Sequence, residues 1–111
     1  SYVKNDGHSD YETSFQELID ENKKFDSKTK TLIVIGDGRN NYRNISEKLI
    51  KNLDSQFEKI YWMNPEKKKY WNTGDSQIKK FEIISENTSE VRNYNQLRKF
   101  VNNIDFKKTL K

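Results

Sequence analysis

An aspartate follows a run of β-branched and apolar residues and lies between two glycines, in Thr31-Leu32-Ile33-Val34-Ile35-Gly36-Asp37-Gly38. Such a run suits a strand buried on both faces of a parallel sheet. Asp37 then falls at the strand's carboxyl end, where open α/β sheets bind ligands at a switch point of strand order. Gly36 and Gly38 let the backbone turn tightly and approach a ligand. The alternative is an Asp-Gly turn that only ends a strand. Ser9-Asp10 precedes an amphipathic segment, a position where a hydroxyl and a carboxylate most often cap a helix. Brought to Asp37, the Ser9 hydroxyl would add a second oxygen ligand for a hard cation. Mg²⁺ asks for octahedral oxygen coordination, so two protein ligands are few.

Two further segments carry chemistry. Arg39-Asn40-Asn41-Tyr42-Arg43 is strongly polar and specific in type, and reads as a partner-binding loop or as a solvated loop with Asn turns. Lys67-Lys68-Lys69-Tyr70-Trp71 sets three cations beside two aromatics. Lys67, Lys68, Lys69 and Trp71 would neutralise and stack on single-stranded nucleic acid, or else form a solvated loop whose aromatics pack back on the fold. His8 is the one histidine and cysteine is absent, which argues against structural zinc. A thiol nucleophile is excluded, and neither a G-x-S-x-G elbow nor a P-loop nor a full G-x-G-x-x-G is present. An enzymatic reading therefore rests on Asp37 alone, as the acid or nucleophile of a small α/β hydrolase or phosphoryl-transfer domain.

The elements that must position these residues alternate. Residues 1–9 read as polar and irregular. Asp10 to Asn22 places Tyr11, Phe15, Leu18 and Ile19 on one helical face. After the strand ending at Gly36, Ile45, Leu49, Ile50, Leu53 and Phe57 form the apolar stripe of a helix opened by Ser46 and Glu47. Lys59 to Asn64 is a second strand, stopped by Pro65. Glu66 to Gly74 is a polar loop, and Asp75 to about Phe81 a short helix. Ser89 to Arg92 reads as a third strand, and Asn95 to Asn103 as a last helix with Leu97, Phe100, Val101 and Ile104 inward. The alternation predicts an α/β layered architecture, mainly parallel, with right-handed crossovers. In a three-strand sheet the most apolar strand, Leu32–Ile35, would lie at an edge, although such a strand is normally central. Missing neighbours are therefore expected, and with them self-association through the open edge.

Composition bounds the rest. The chain has 111 residues, 34% charged and 32% hydrophobic, with a net charge of +4. Aromatics at 13% argue for a folded domain with a thin core. The 17 Lys and 4 Arg are scattered among 17 acids rather than concentrated, which argues against a dedicated nucleic-acid face. No apolar run approaches the ~20 residues that cross a bilayer. Absence of cysteine fits a reducing, cytoplasmic setting. A first residue of Ser predicts a processed chain or a piece of a longer one.

The motifs Gly36-Asp37-Gly38-Arg39-Asn40-Asn41-Tyr42, Trp62-Met63-Asn64-Pro65-Glu66, Trp71, Thr73-Gly74-Asp75-Ser76 and Val91 to Val101 occur in this order. With Gly7-His8-Ser9-Asp10-Tyr11 upstream, the chain resembles the C-terminal half of a CoxE-like von Willebrand factor A (VWA) domain over about residues 7–101. The resemblance implies a three-layer, Rossmann-like α/β VWA fold over residues 1–111, as one domain or as the C-terminal part of one. It also implies a metal-ion-dependent adhesion site for Mg²⁺ or Mn²⁺, completed by a carboxylate of a protein partner. Asp37 matches the family's metal-binding Asp, and Ser9 stands where its Thr is expected. The first strands and the D-x-S-x-S loop are absent, so tight metal binding by this chain alone is not expected. Arg39, Asn40 and Asn41 would bond the partner's acid or hold the loop. The family implies a non-catalytic adaptor working with a MoxR-type AAA+ ATPase in maturation of metalloenzymes or larger assemblies.

Overall fold

The computed structural model describes residues 2–4, 10–24, 30–40 and 43–104, and for 2–4 the backbone. Four strands and four α-helices alternate: β1 Tyr2–Lys4, α1 Tyr11–Asn22, β2 Thr31–Ile35, α2 Glu47–Gln56, β3 Lys59–Asn64, α3 Ile78–Glu82, β4 Asn87–Glu90 and α4 Tyr94–Asn102. The strands form one sheet in the order β1-β2-β3-β4, and every pairing is parallel. The α/β alternation expected from periodicity is present.

Local chemistry explains the helix starts. Asp10 caps α1, its Oδ1 accepting from the Glu12 N–H at 2.9 Å. Ser46 caps α2, its hydroxyl oxygen accepting from the Leu49 N–H at 3.2 Å. The Glu12 carboxylate also accepts from the Ser46 N–H and hydroxyl, so the two helix starts are tied together. Each such cap satisfies one of the backbone donors that a helix start leaves unpaired.

The sheet has two unequal cores. On one face, Leu32, Val34, Ile60 and Trp62 meet α1, α2 and α3 in a single buried cluster. At its centre Tyr11, Phe15, Trp62 and Phe81 stack, with Trp62 and Phe81 ring centroids 4.6 Å apart and Phe15 and Phe81 5.4 Å apart. On the other face Tyr61 meets Phe100 edge-on and Ile104 joins them.

Several sequence expectations are corrected. Residues 1–9 are not wholly irregular, because Tyr2–Lys4 pairs with Ile33–Ile35 as β1. The Leu32–Ile35 strand is therefore interior, flanked by β1 and β3, and its apolar run has the central position such runs normally take. Among the described residues the sheet's edges are β1 and β4, so the open-edge premise for self-association passes from β2 to β1. The strand expected at Ser89–Arg92 is β4, Asn87–Glu90, which begins earlier, and α3 begins at Ile78 rather than Asp75. Phe100 in α4 and Ile104 just beyond it point inward, but Leu97 and Val101 remain 38% and 45% exposed.

The turn at Gly36 leaves no room for a side chain. A Cβ there would fall on the Tyr11 hydroxyl. Gly36→Ala is expected to destabilise the fold by about 1–3 kcal/mol, the usual cost of overpacking. Removing the obstructing oxygen with Tyr11→Phe should make the second Gly36→Ala substitution markedly cheaper. Urea unfolding of the four-member mutant cycle checks this, and additive losses would contradict the proposed clash.

Candidate functional site

Asp37 leaves the carboxyl end of β2 in a turn held from beneath by two buried aromatic tips. The Trp62 indole Nε1 donates to the Gly36 carbonyl at 2.7 Å. The Gly38 N–H donates to the Tyr11 hydroxyl oxygen at 3.0 Å. Gly38 adopts φ +78, a left-handed value that only glycine takes without strain. Its carbonyl accepts from the Gln77 N–H, and Arg39 forms an antiparallel bridge with Ser76. The Asp37 Oδ1 accepts from the Arg39 N–H at 2.9 Å, an Asx turn that fixes the carboxylate. Among the described residues, Oδ2 accepts no hydrogen bond.

Arg39 joins the loops around this turn. Its Nε and Nη2 donate to both Glu66 carboxylate oxygens at 3.0 and 2.8 Å, a bidentate pair. Its Nη1 donates to Asp75 Oδ1 at 3.2 Å and to the Thr73 carbonyl at 2.8 Å. Nη2 also reaches the Tyr70 carbonyl at 3.1 Å. One guanidinium thus ties the Gly-Asp-Gly-Arg turn to the Asn-Pro-Glu segment and to the Thr-Gly-Asp-Ser segment. A planar fork with five donors can do this and an ammonium cannot. Hydrogen bonding to Glu66, and to a lesser extent Asp75, raises the Arg39 pKa above its already high value.

Asn40 is buried, and its amide is used twice. Oδ1 accepts from the Tyr11 N–H at 2.8 Å, and Nδ2 donates to the Arg43 carbonyl at 3.1 Å. The strongly polar segment therefore packs at Arg39 and Asn40, because internal partners satisfy its polar groups. Of the two roles considered for these residues, the geometry displays the holding of the loop. Ser9 and Asn41 lie outside the described residues. Asp37 sits at the carboxyl edge as expected, but the described strand order runs without reversal, so it contains no switch point.

Of the two readings of the Lys67–Trp71 segment, Trp71 follows the one in which the aromatics pack back on the fold. Trp71 is 2% exposed, and its Nε1 donates to the Glu66 carbonyl at 2.8 Å. Its ring fills the core beside Ile78 and Phe81, where burial of a large aromatic surface outweighs exposure. Residues 68–70 form a 3-10 turn, and Lys67, Lys68 and Lys69 are exposed. The Lys68 N–H donates to Glu90 Oε1 at 3.0 Å, and this bond, with that from Gln96, holds the Glu90 carboxyl below the usual range.

Glu66, Asp75, Tyr11 and Trp62 were not singled out as site residues from sequence. Their signal was present in the unusual spaced motifs, but the partner of each lies 25 or more residues away in the chain for Arg39–Glu66, Arg39–Asp75, Tyr11–Gly38 and Trp62–Gly36.

A parallel α/β sheet with a fixed acidic turn at its carboxyl edge defines the class, a Rossmann-like domain. The family described as VWA domain containing CoxE-like protein matches residues 2–101, and the chain belongs to it. No match was found among curated proteins or among solved structures.

Two outcomes follow. Arg39→Lys should lose most of what Arg39→Ala loses, about 2 kcal/mol by urea unfolding, because both leave Glu66 and the carbonyls under-bonded. Full rescue by Lys would reduce the fork to a simple charge. Burial chiefly, and then the nearby Asp37 charge, raise the Tyr11 pKa above its ordinary value of 10.0. The unfolded chain then releases this proton above about pH 10 while the folded chain keeps it, so stability falls as pH rises past that point. The fall should be shallower in Tyr11→Phe, measured as urea midpoints across the alkaline range. Equal slopes would remove Tyr11 as the cause.

Proposed function

We propose that this chain is a non-catalytic protein-interaction module of the VWA type that presents the edge around Asp37 to a protein partner. The observation that carries this reading is the rigid presentation of one carboxylate. Two aromatic tips and the Arg39 fork fix the turn, and Asp37 Oδ2 is left without a hydrogen-bond donor among the described residues.

In this reading Asp37, with Ser9, holds Mg²⁺ or Mn²⁺, and a carboxylate of the partner completes the coordination. Asp37 suits a hard cation by donor type. Among the described residues there is no group of three His, Cys, Asp or Glu side chains able to hold a metal, so further ligands come from elsewhere. Arg39 and Asn40 act by holding the loop, and Asn41 is the neighbour through which a partner's acid would be bonded. Membership of the CoxE-like family supports a MoxR-type AAA+ ATPase as the partner, in maturation of a metalloenzyme or larger assembly. A cytoplasmic setting suits such a partner. Among the described residues no helix is long and apolar enough to cross a membrane.

Capture of a purified MoxR-type ATPase by the complete, immobilised VWA domain tests the proposal. Capture should need Mg²⁺ or Mn²⁺, disappear in EDTA and fall at least about 10-fold in Asp37→Ala, as for other central charged contacts. Capture that ignores both EDTA and Asp37→Ala would exclude the metal bridge.

A further inference from the structure

Helices α1, α2 and α3 bury their inward sides against the sheet in one core. They form a completed layer, so the domain's own architecture calls for no further layer on their outward side. That outward side carries a cleft of about 340 Å³ between α2 and α3. Two apolar side chains floor it, the buried Ile50 of α2 and the half-buried Ile84 just beyond α3. Ile83 stands at the same cleft and is 85% exposed, the most exposed large apolar side chain among the described residues. It is the C-cap of α3 and keeps helical backbone angles, so its direction is set by the helix. One patch therefore holds both an apolar projection and an apolar recess. A single exposed isoleucine needs no explanation. Projection and recess on one patch are what a two-fold interface requires, because the same surface must serve both sides.

The charges obey the same requirement. On the α2 lip Lys51 stands between Glu47 and Asp54, and none of the three makes an ion pair among the described residues. On the α3 lip Lys80 is engaged, its Nζ donating to the Ile45 carbonyl at 2.8 Å. That bond sets Lys80 level with the start of α2. Both helices return from the carboxyl edge between parallel strands, so they run the same way. Ile83 and Ile84, one turn past Lys80, are then level with Ile50 to Asp54. Lys51 and Asp54 lie three residues apart on one helix face. When such a helix packs antiparallel on its own copy, base meets acid and acid meets base, which gives two ion pairs at once.

We propose that the α2–α3 cleft is a self-association face whose occupant is a second copy of this chain. The two α2 helices pack antiparallel about a two-fold axis, Lys51 against Asp54 of the second copy and Asp54 against its Lys51. Each Ile83 covers the Ile50–Ile84 floor of the other copy. This face is distinct from the Asp37 edge and from the β1 edge of the sheet. Two short helices bury less than the ~1,600 Å² of a standard interface, so the dimer is weak and forms at high concentration.

Sedimentation of the whole chain from about 0.01 to 1 mM measures the dimer, and nitrogen–proton correlation spectra locate it. Amides of α2, Ile83 and Ile84 should shift as concentration rises. Lys51→Glu sets acid against acid across the axis, and Asp54→Lys sets base against base. Each should weaken self-association at least about 10-fold. Mixing the two variants should restore a one-to-one dimer, since positions 51 and 54 are then opposite in sign across the axis. Ile83→Asp should abolish the dimer. All three positions are exposed, so thermal melts should stay close to that of the parent chain. A monomer throughout this range would overturn the proposal, and so would variants that fail to restore each other on mixing. Shifts confined to β1 and β2 would also overturn it, by assigning the contact to the sheet edge.

Discussion

Two buried aromatic tips, the Trp62 indole N–H on the Gly36 carbonyl and the Tyr11 hydroxyl under the Gly38 N–H, are the contact on which the rest of the structure hangs. In a low-dielectric interior an unmatched backbone group is costly, so these bonds decide where the turn after β2 can lie. Both aromatics are also the centre of the main core, stacked with Phe15 and Phe81. Core and site are therefore one device. The ring bodies exclude water and hold α1, β3 and α3 together, while their polar ends set the backbone around Asp37.

The Arg39 fork adds a second level above this. It draws the loops that follow β2 and β3 into a single rim, with Glu66, Asp75 and two backbone carbonyls as its acceptors. A bidentate, charge-assisted arrangement is directional as well as attractive. The rim is accordingly loop in composition but fixed in geometry.

The fold was largely legible because its signals are local. The Leu32–Ile35 run, the stripe of Ile45, Leu49, Ile50 and Leu53, and the Asp10 and Ser46 caps each act within a few residues, and all are present in the structure. β1 was missed because three residues are too short to show a period. Its pairing comes from β2. The start of α3 was misplaced because residues 76 and 77 bond back to Arg39 and Gly38 before the helix begins. The inward face of α4 was overestimated because four apolar residues at helical spacing show that a face is apolar, not how much of it a sheet will cover.

By itself the sequence determined the alternation of elements, the acid at the end of the buried strand and the family's ordered motifs, since all of these are written in short-range pattern. Tertiary structure alone decided what the motifs do to one another. Arg39 meets Glu66 and Asp75 across 27 and 36 residues, and Trp71 turns from a surface candidate into a core side chain. The physical reason is that a polar group's role depends on which acceptor reaches it once the sheet has brought distant loops to one edge. An aromatic's role likewise depends on whether the sheet leaves space for it. Neither partner nor space is specified until the chain has closed on itself.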